Sequence, residues 1–215
     1  MTPTELEQAA RERYNAVGET FWSSAEMRTL IYAACQELAL ETKCIERVYT
    51  TTTVASTQEY EFPTNVISVI RVTWYGQKLE PIDQRMGDSL TLSQNGVSVT
   101  GTPQYYAQFN NTFILYPTPN DAQALKVWAA VEAQPLTTAS TELEVPTWTH
   151  TRLINFLLAE MYPKDKDFTS AGYYRGLWNN DKAQVKAWMR KRLRGDAPAQ
   201  VKDEMSLPNT ILGVV

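Results

Sequence analysis

One histidine, two cysteines and nine glycines are all that 215 residues hold of three residue types on which much enzyme chemistry depends. One imidazole and two thiols do not make a zinc site of the usual composition. No G-x-x-x-x-G-K-[ST] loop and no G-x-G-x-x-G turn is present to cradle phosphates. The single histidine, His150, stands in Thr147-Trp148-Thr149-His150-Thr151, with no serine or cysteine in a recognisable nucleophile context. A place near a helix start or in an interface suits it better than general-base work. Glu160, Asp165 and Asp167 cluster around Pro163 and read as polar residues beside helix ends rather than an acid–base pair. Catalytic, metal-binding and cofactor sites are therefore not expected, and a binding or structural role is. No stretch approaches the roughly 18 apolar residues of a membrane span, so no membrane association is expected. The opening Met1-Thr2-Pro3-Thr4-Glu5 lacks the basic-then-apolar pattern of a secretion signal. Cys35 and Cys44 fall nine positions apart in what reads as one helix, about 13 Å, too far for a disulfide. They are expected to be reduced and buried.

What the chain does have is aromatic mass, six Trp and eleven Tyr, and an uneven charge. Lys182, Lys186, Arg190, Lys191, Arg192 and Arg194 put +6 into residues 182–194 with no acid among them; with a net charge of −4, the remainder carries −4 − 6 = −10. An acidic body with one basic segment is suited to assembly or to DNA contact.

Along the chain, helices give way to strands and then return. Thr2-Pro3-Thr4-Glu5 is a capping box with Pro at the first helical position, opening a helix expected to reach Val17 and stop at Gly18. Ser23-Ser24-Ala25-Glu26 is a second capping box, with Trp22 and Met27 placed as a hydrophobic staple. Met27, Leu30, Ile31, Ala34, Cys35 and Leu38 then recur at helical spacing as far as Cys44. From residue 46 the texture is β-branched: Val48–Val54, Tyr60 and Phe62, and a strong strand over Val66–Tyr75. Gly76-Gln77 fits a hairpin loop with Gly first, pairing onto Lys78–Ile82, and Asn110-Asn111 a second hairpin between Gln104–Phe109 and Thr112–Tyr116. Leu125–Val131 reads as a last strand, and residues 84–95 give no clear pattern, with room for a short helical turn. A third helix follows Pro146 on Leu153, Ile154, Leu157, Leu158 and Met161, stopped by Pro163. A fourth is capped by Asp167 and runs to Arg194, with Tyr174, Leu177, Trp178, Val185, Trp188 and Met189 as its buried side. Gly172 and Gly176 in it either admit a close backbone or are tolerated surface residues. The last twenty residues hold breakers, and an apolar end in Leu207, Ile211, Leu212, Val214 and Val215.

Two features invite function. Lys182, Lys186, Arg190 and Arg194 follow i, i+4 spacing, so they line one side of the fourth helix, widened by Lys191 and Arg192. The ordinary reading is a solvated helix end favourable to the macrodipole; the functional one is contact with DNA phosphates or an acidic neighbouring subunit. The strand zone also concentrates Trp74, Tyr75, Tyr105, Tyr106, Phe109, Phe113, Tyr116 and Trp128. These could stack on sugar or single-stranded nucleic acid, but more often fill a β core or an interface.

The order of parts resembles the head-to-tail adaptor, or head-completion (connector), proteins of short-tailed bacteriophages. The resemblance is carried by Thr2-Pro3-Thr4-Glu5-Leu6, Phe21-Trp22-Ser23, and Val48-Tyr49-Thr50-Thr51 through Tyr60-Glu61-Phe62-Pro63. It continues in Gly101-Thr102-Pro103-Gln104-Tyr105-Tyr106, Glu144-Val145-Pro146, Glu160-Met161-Tyr162, Tyr173-Tyr174-Arg175 and Gly195-Asp196. It implies a helical bundle with a β-rich insertion and a C-terminal arm. It further implies a virion protein at the head–tail junction, assembled in the host cytoplasm as a ring homo-oligomer, generally a dodecamer, under the portal protein. Such a ring extends the channel for genomic DNA, offers a platform for a tail or nozzle protein, and takes part in genome ejection. The arm commonly reaches the portal.

The expectation is thus an α+β protein. Residues 1–45 and 146–195 form one helical bundle, 46–145 a β-rich insertion, and 196–215 an extended C-terminal arm. No cofactor is expected. The arm residues Leu207, Ile211, Leu212, Val214 and Val215 are expected to dock on the portal, and the basic residues to face the channel or a neighbouring subunit. Rival readings are a nucleic-acid-binding protein using the basic fourth helix and a carbohydrate-recognition module using the β-zone aromatics.

Overall fold

The computed structural model describes residues 1–15, 21–91, 99–136 and 142–194. The first capping box is complete. Thr2 Oγ1 accepts from the Glu5 amide at 3.3 Å while the Thr2 amide donates to Glu5 Oε2 at 3.0 Å. It opens α1 (Pro3–Tyr14), which stops at Asn15 with φ +62°, before the expected Val17. Asn tolerates this left-handed position because its short polar side chain pays little of the Cβ penalty. Gly18 lies outside the described residues. The second box is half formed. Ser23 Oγ accepts from the Glu26 amide at 3.2 Å, but the Glu26 carboxylate takes a hydrogen bond from Lys164 Nζ at 2.8 Å instead of returning to Ser23. Helix α2 (Ser24–Thr42) then runs to Lys43, at φ +56°, so Cys44 lies just beyond the helix. Both cysteines are free and buried.

Among the described residues, nine strands and a short helix follow: β1 (Glu46–Thr52), β2 (Glu59–Glu61), β3 (Val66–Trp74), β4 (Gln77–Pro81), α3 (Gln84–Thr91), β5 (Thr100–Gly101), β6 (Tyr105–Phe109), β7 (Thr112–Tyr116), β8 (Thr118–Pro119) and β9 (Ala124–Val131). Seven form one sheet in the order β1-β9-β3-β4-β6-β7-β2, and β5 and β8 make a small parallel pair. Every pairing in the large sheet is antiparallel except β4 with β6, whose parallel register needs the crossover that α3 supplies. Within residues 84–95, where the sequence pattern is unclear and leaves room for a short helical turn, residues 84–91 form a two-turn helix.

The β3–β4 hairpin turns on Tyr75-Gly76, both at positive φ (+48° and +80°), and not on Gly76-Gln77. This two-residue loop pairs Val72 with Leu79, both buried. The expected loop would have set Pro81, which has no amide to donate, opposite Val72. The β6–β7 hairpin forms as expected on Asn110-Asn111, with Asn110 at φ +51°.

After a 3-10 turn at Thr147–Thr149 come α4 (His150–Met161), a second 3-10 turn at Tyr162–Asp165, and α5 (Phe168–Arg194). Asp167 caps α5, its Oδ1 accepting from the Ser170 amide at 3.0 Å. Helix α4 packs on α1, α2 and α5, and α2 packs on α5 and on β9. One apolar cluster therefore runs from the helices into the sheet. Leu6, Ile31, Leu38, Leu153, Leu157 and Trp178 meet Val72, Leu79 and Leu125 in it, while Leu30 is only half-buried. The fold is α+β, with the four longer helices flanking the strand zone in sequence and sharing its core. No described helix is long and apolar enough to cross a membrane.

Candidate assembly surfaces

The i, i+4 spacing of the basic residues on α5 does not keep them on one face. Four residues turn an α-helix by about 400°, so each step drifts about 40° around the axis. Lys182 consequently points inward. It is 8% exposed, and its ammonium lies 2.5 Å from both Glu37 and Glu41 of α2. About one and two turns later Lys186 and Arg190 are exposed, as is Lys191, and none of the three makes an ion pair among the described residues. Arg192 reaches Glu46 at the head of β1 at 3.4 Å and lies 5.7 Å over the ring of Trp188. Arg194 ends the helix, and its side chain lies outside the described residues. What remains open to a partner is a shorter cationic strip than the spacing suggested.

Trp188 departs from expectation in the other direction. It was placed on the buried side of the fourth helix, yet it is 42% exposed and packs on Trp148, itself 39% exposed, with ring centroids 4.8 Å apart. Helical spacing put Trp188 near Val185 and Met189, which are buried. Its contact comes from Trp148, forty residues away in sequence, and no local signal announces that pairing.

The aromatics of the strand zone divide. Trp74, Tyr106, Phe113 and Tyr116 are buried, and Tyr105 and Trp128 are half-buried, Trp128 under the Arg71 guanidinium at 5.3 Å. Tyr75 and Phe109 are exposed at the tips of two hairpins. Because β4 leads away from Tyr75 and β6 runs parallel to it toward Phe109, these tips lie at opposite ends of the sheet. Most of the aromatic mass is core, and the two exposed rings share no face on which a sugar or base could stack.

His150 is buried with both ring nitrogens occupied. Nε2 lies 2.9 Å from the Val145 carbonyl and Nδ1 2.9 Å from the Met1 amine. A ring that donates from Nε2 to a carbonyl has an unprotonated Nδ1 to accept, and burial holds its pKa below the ordinary histidine value. The three carboxylates near Pro163 are also engaged. Glu160 pairs with Arg175, Asp165 accepts from Tyr14, and Asp167 caps α5. Among the described residues, no three His, Cys, Asp or Glu side chains are grouped to hold a metal. The arm residues Leu207, Ile211, Leu212, Val214 and Val215 lie outside the described residues.

No curated protein matches the chain. A family match does exist, and it runs through both helical zones and the strands between them. Residues 1–202 match the SU10 adaptor protein family, so the chain belongs to that family and is a phage adaptor structural protein.

Proposed function

We propose that this adaptor forms a ring homo-oligomer, a dodecamer, that joins the portal of the phage head to the tail and extends the channel through which genomic DNA passes. The observation that carries the reading is the family match over residues 1–202, nearly the whole chain. On this reading the work is mechanical. Many equivalent interfaces supply burial, and charge sets encounter and register. The subunit is assembled in the host cytoplasm and ends at the head–tail junction, with a tail or nozzle protein on its distal side.

The exposed cations Lys186, Arg190 and Lys191 face the channel or a neighbouring subunit. Lys182 is spoken for by its own chain, and Arg192 is partly so. The C-terminal segment docks on the portal through Leu207, Ile211, Leu212, Val214 and Val215. These residues fall after the family match, so their role rests on composition: a polar root and an apolar tip suit ordering on a partner, and a ring of tips gains avidity.

The test is native mass measurement of the full chain, alone and with portal, beside a chain truncated after Ala199. A ring stoichiometry with the full chain and loss of portal binding on truncation are expected. Absence of any oligomer in both conditions would overturn the ring. Unchanged portal affinity after truncation would overturn the docking arm.

A further inference from the structure

Two indole rings stand together on the outside of the helical layer. Trp148 comes from the turn before α4 and Trp188 from the last third of α5, and their planes meet at 58°. Each carries a guanidinium over its ring, Arg152 at 5.8 Å from Trp148 and Arg192 at 5.7 Å from Trp188. Both guanidiniums are held from behind. Arg152 donates to Asp181 Oδ1 and to Gln184 Oε1, each at 2.8 Å, and Arg192 reaches Glu46. Lys191, exposed and without an ion pair among the described residues, stands one position from Arg192.

A tryptophan that serves only its own fold has a place here already. Trp178, ten residues earlier on α5, is fully buried and donates its indole N–H to Glu37 at 2.8 Å. The Trp148–Trp188 pair instead presents apolar area to water between fixed cations. Trp and Arg are the residues that dominate protein interfaces, and they do so best when binding need not order them. Here ring-on-ring contact and the ion pairs behind the guanidiniums have set that order in advance.

We propose that Trp148 and Trp188, with Arg152, Lys191 and Arg192, anchor an interface with an acidic surface of a second copy of this chain. The inference rests on the ring reading and names the surface it would use. Charge complementarity selects the occupant: Lys186, Arg190 and Lys191 on this end of α5 are exposed and make no ion pair among the described residues, while the chain as a whole carries −4. A two-fold contact of this patch with itself would set cations against cations. The patch must meet a different surface of the copy, and such a heterologous contact generates rings when its rotation closes.

The experiment uses the full chain, with mass and sedimentation measured alone and with portal, on the wild type, Trp148→Ser/Trp188→Ser and Lys191→Glu. Circular dichroism confirms that each is folded; Lys191 is exposed and makes no ion pair among the described residues for Lys191→Glu to remove. Self-association at least tenfold weaker in both variants is expected, together with weakening of the wild-type assembly in high salt. Tryptophan emission should move to shorter wavelength as the wild type assembles. Rings of unchanged stability from both variants would overturn the interface and leave the ring reading standing. A wild type that never self-associates, with or without portal, would overturn both. Tryptophan-dependent binding of free DNA, with assembly unaffected, would overturn the choice of occupant.

Discussion

Lys182 on α5 donates to Glu37 on α2 at 2.5 Å across 145 positions of sequence, and to Glu41 at the same distance. The same Glu37 oxygen accepts from Trp178. One cation thus ties the last helix to the second and keeps two carboxylates on neighbouring turns from repelling each other.

Removing that cation should cost stability. Lys182→Met leaves Glu37 and Glu41 facing an apolar methyl, and about 1–3 kcal/mol of loss is expected at neutral pH, less than for a fully buried pair because both carboxylates keep some water. The sign follows from Glu37. Burial alone would raise its pKa, but the hydrogen bonds from Lys182 and Trp178 outweigh burial and hold it below the ordinary value of 4.5. Its contribution is present above 4.5 and lost as pH falls through the lower folded value. Urea midpoints measured from pH 7 to 3 should show the gap between wild type and variant closing as pH falls below 4.5. A constant gap across that range would show that the ion pair is not the cause.

Thr53 closes the far end of the sheet. Its hydroxyl accepts from Trp74 Nε1 at 3.1 Å and from the Gln123 amide at 2.9 Å, and lies 3.0 Å from the Asp121 carbonyl. Thr53→Val keeps the shape and strands two donors, the Trp74 indole fully buried and the Gln123 amide partly so, and a loss of about 1–3 kcal/mol is expected. Thr53→Ser should recover most of it in chemical denaturation.

Tyr75 holds φ at +48° and is 68% exposed. A bulky side chain there is strained, and the site suits Asn or Gly. Tyr75→Asn should raise the stability of the isolated subunit by about 0.5–1 kcal/mol, read as a higher melting midpoint. If the same variant assembles poorly, the strain is retained for an exposed aromatic that a partner needs.

The Cys35 thiol should be chemically quiet. Burial, with Cys44 and Glu144 nearby, pushes its pKa up to about 12. Burial raises that of Cys44 as well. Thiolate is the reactive form, so a thiol-reactive dye at pH 8 should label the folded chain far more slowly than the urea-unfolded chain. Fast labelling of the folded protein would contradict this burial.

What the sequence revealed was local. Thr2 and Glu5 lie three residues apart, and their reciprocal hydrogen bonds need nothing else; the Asn110 turn and the Asp167 cap are similar. The β3–β4 turn and the end of α1 were misread locally, by one and by two to three residues, but other misread features involve distant partners. Glu26 left its capping box for Lys164, Lys182 turned inward to two acids on α2, and Trp188 stayed exposed beside Trp148. The parallel pairing of β4 with β6, and β1 at one edge of the sheet with β2 at the other, leave no mark on periodicity. Alternation fixes which face of a strand is buried but not which strand lies beside it.

The packing of α2 against α5 also imposes an order in time. While the chain is being made, the buried stripe of α2, Ile31 through Leu38, emerges with α1 as its only helical neighbour. Its partners on α5, Trp178 foremost, lie some 141 positions downstream of Glu37. At about 5–20 residues per second the ribosome needs roughly 7–28 s to deliver them. Until β9 and then α4 and α5 arrive, the nascent helix must be shielded or remain loosely formed. Substitutions that make the α2 stripe more apolar should therefore lower soluble yield even where they leave the finished subunit no less stable.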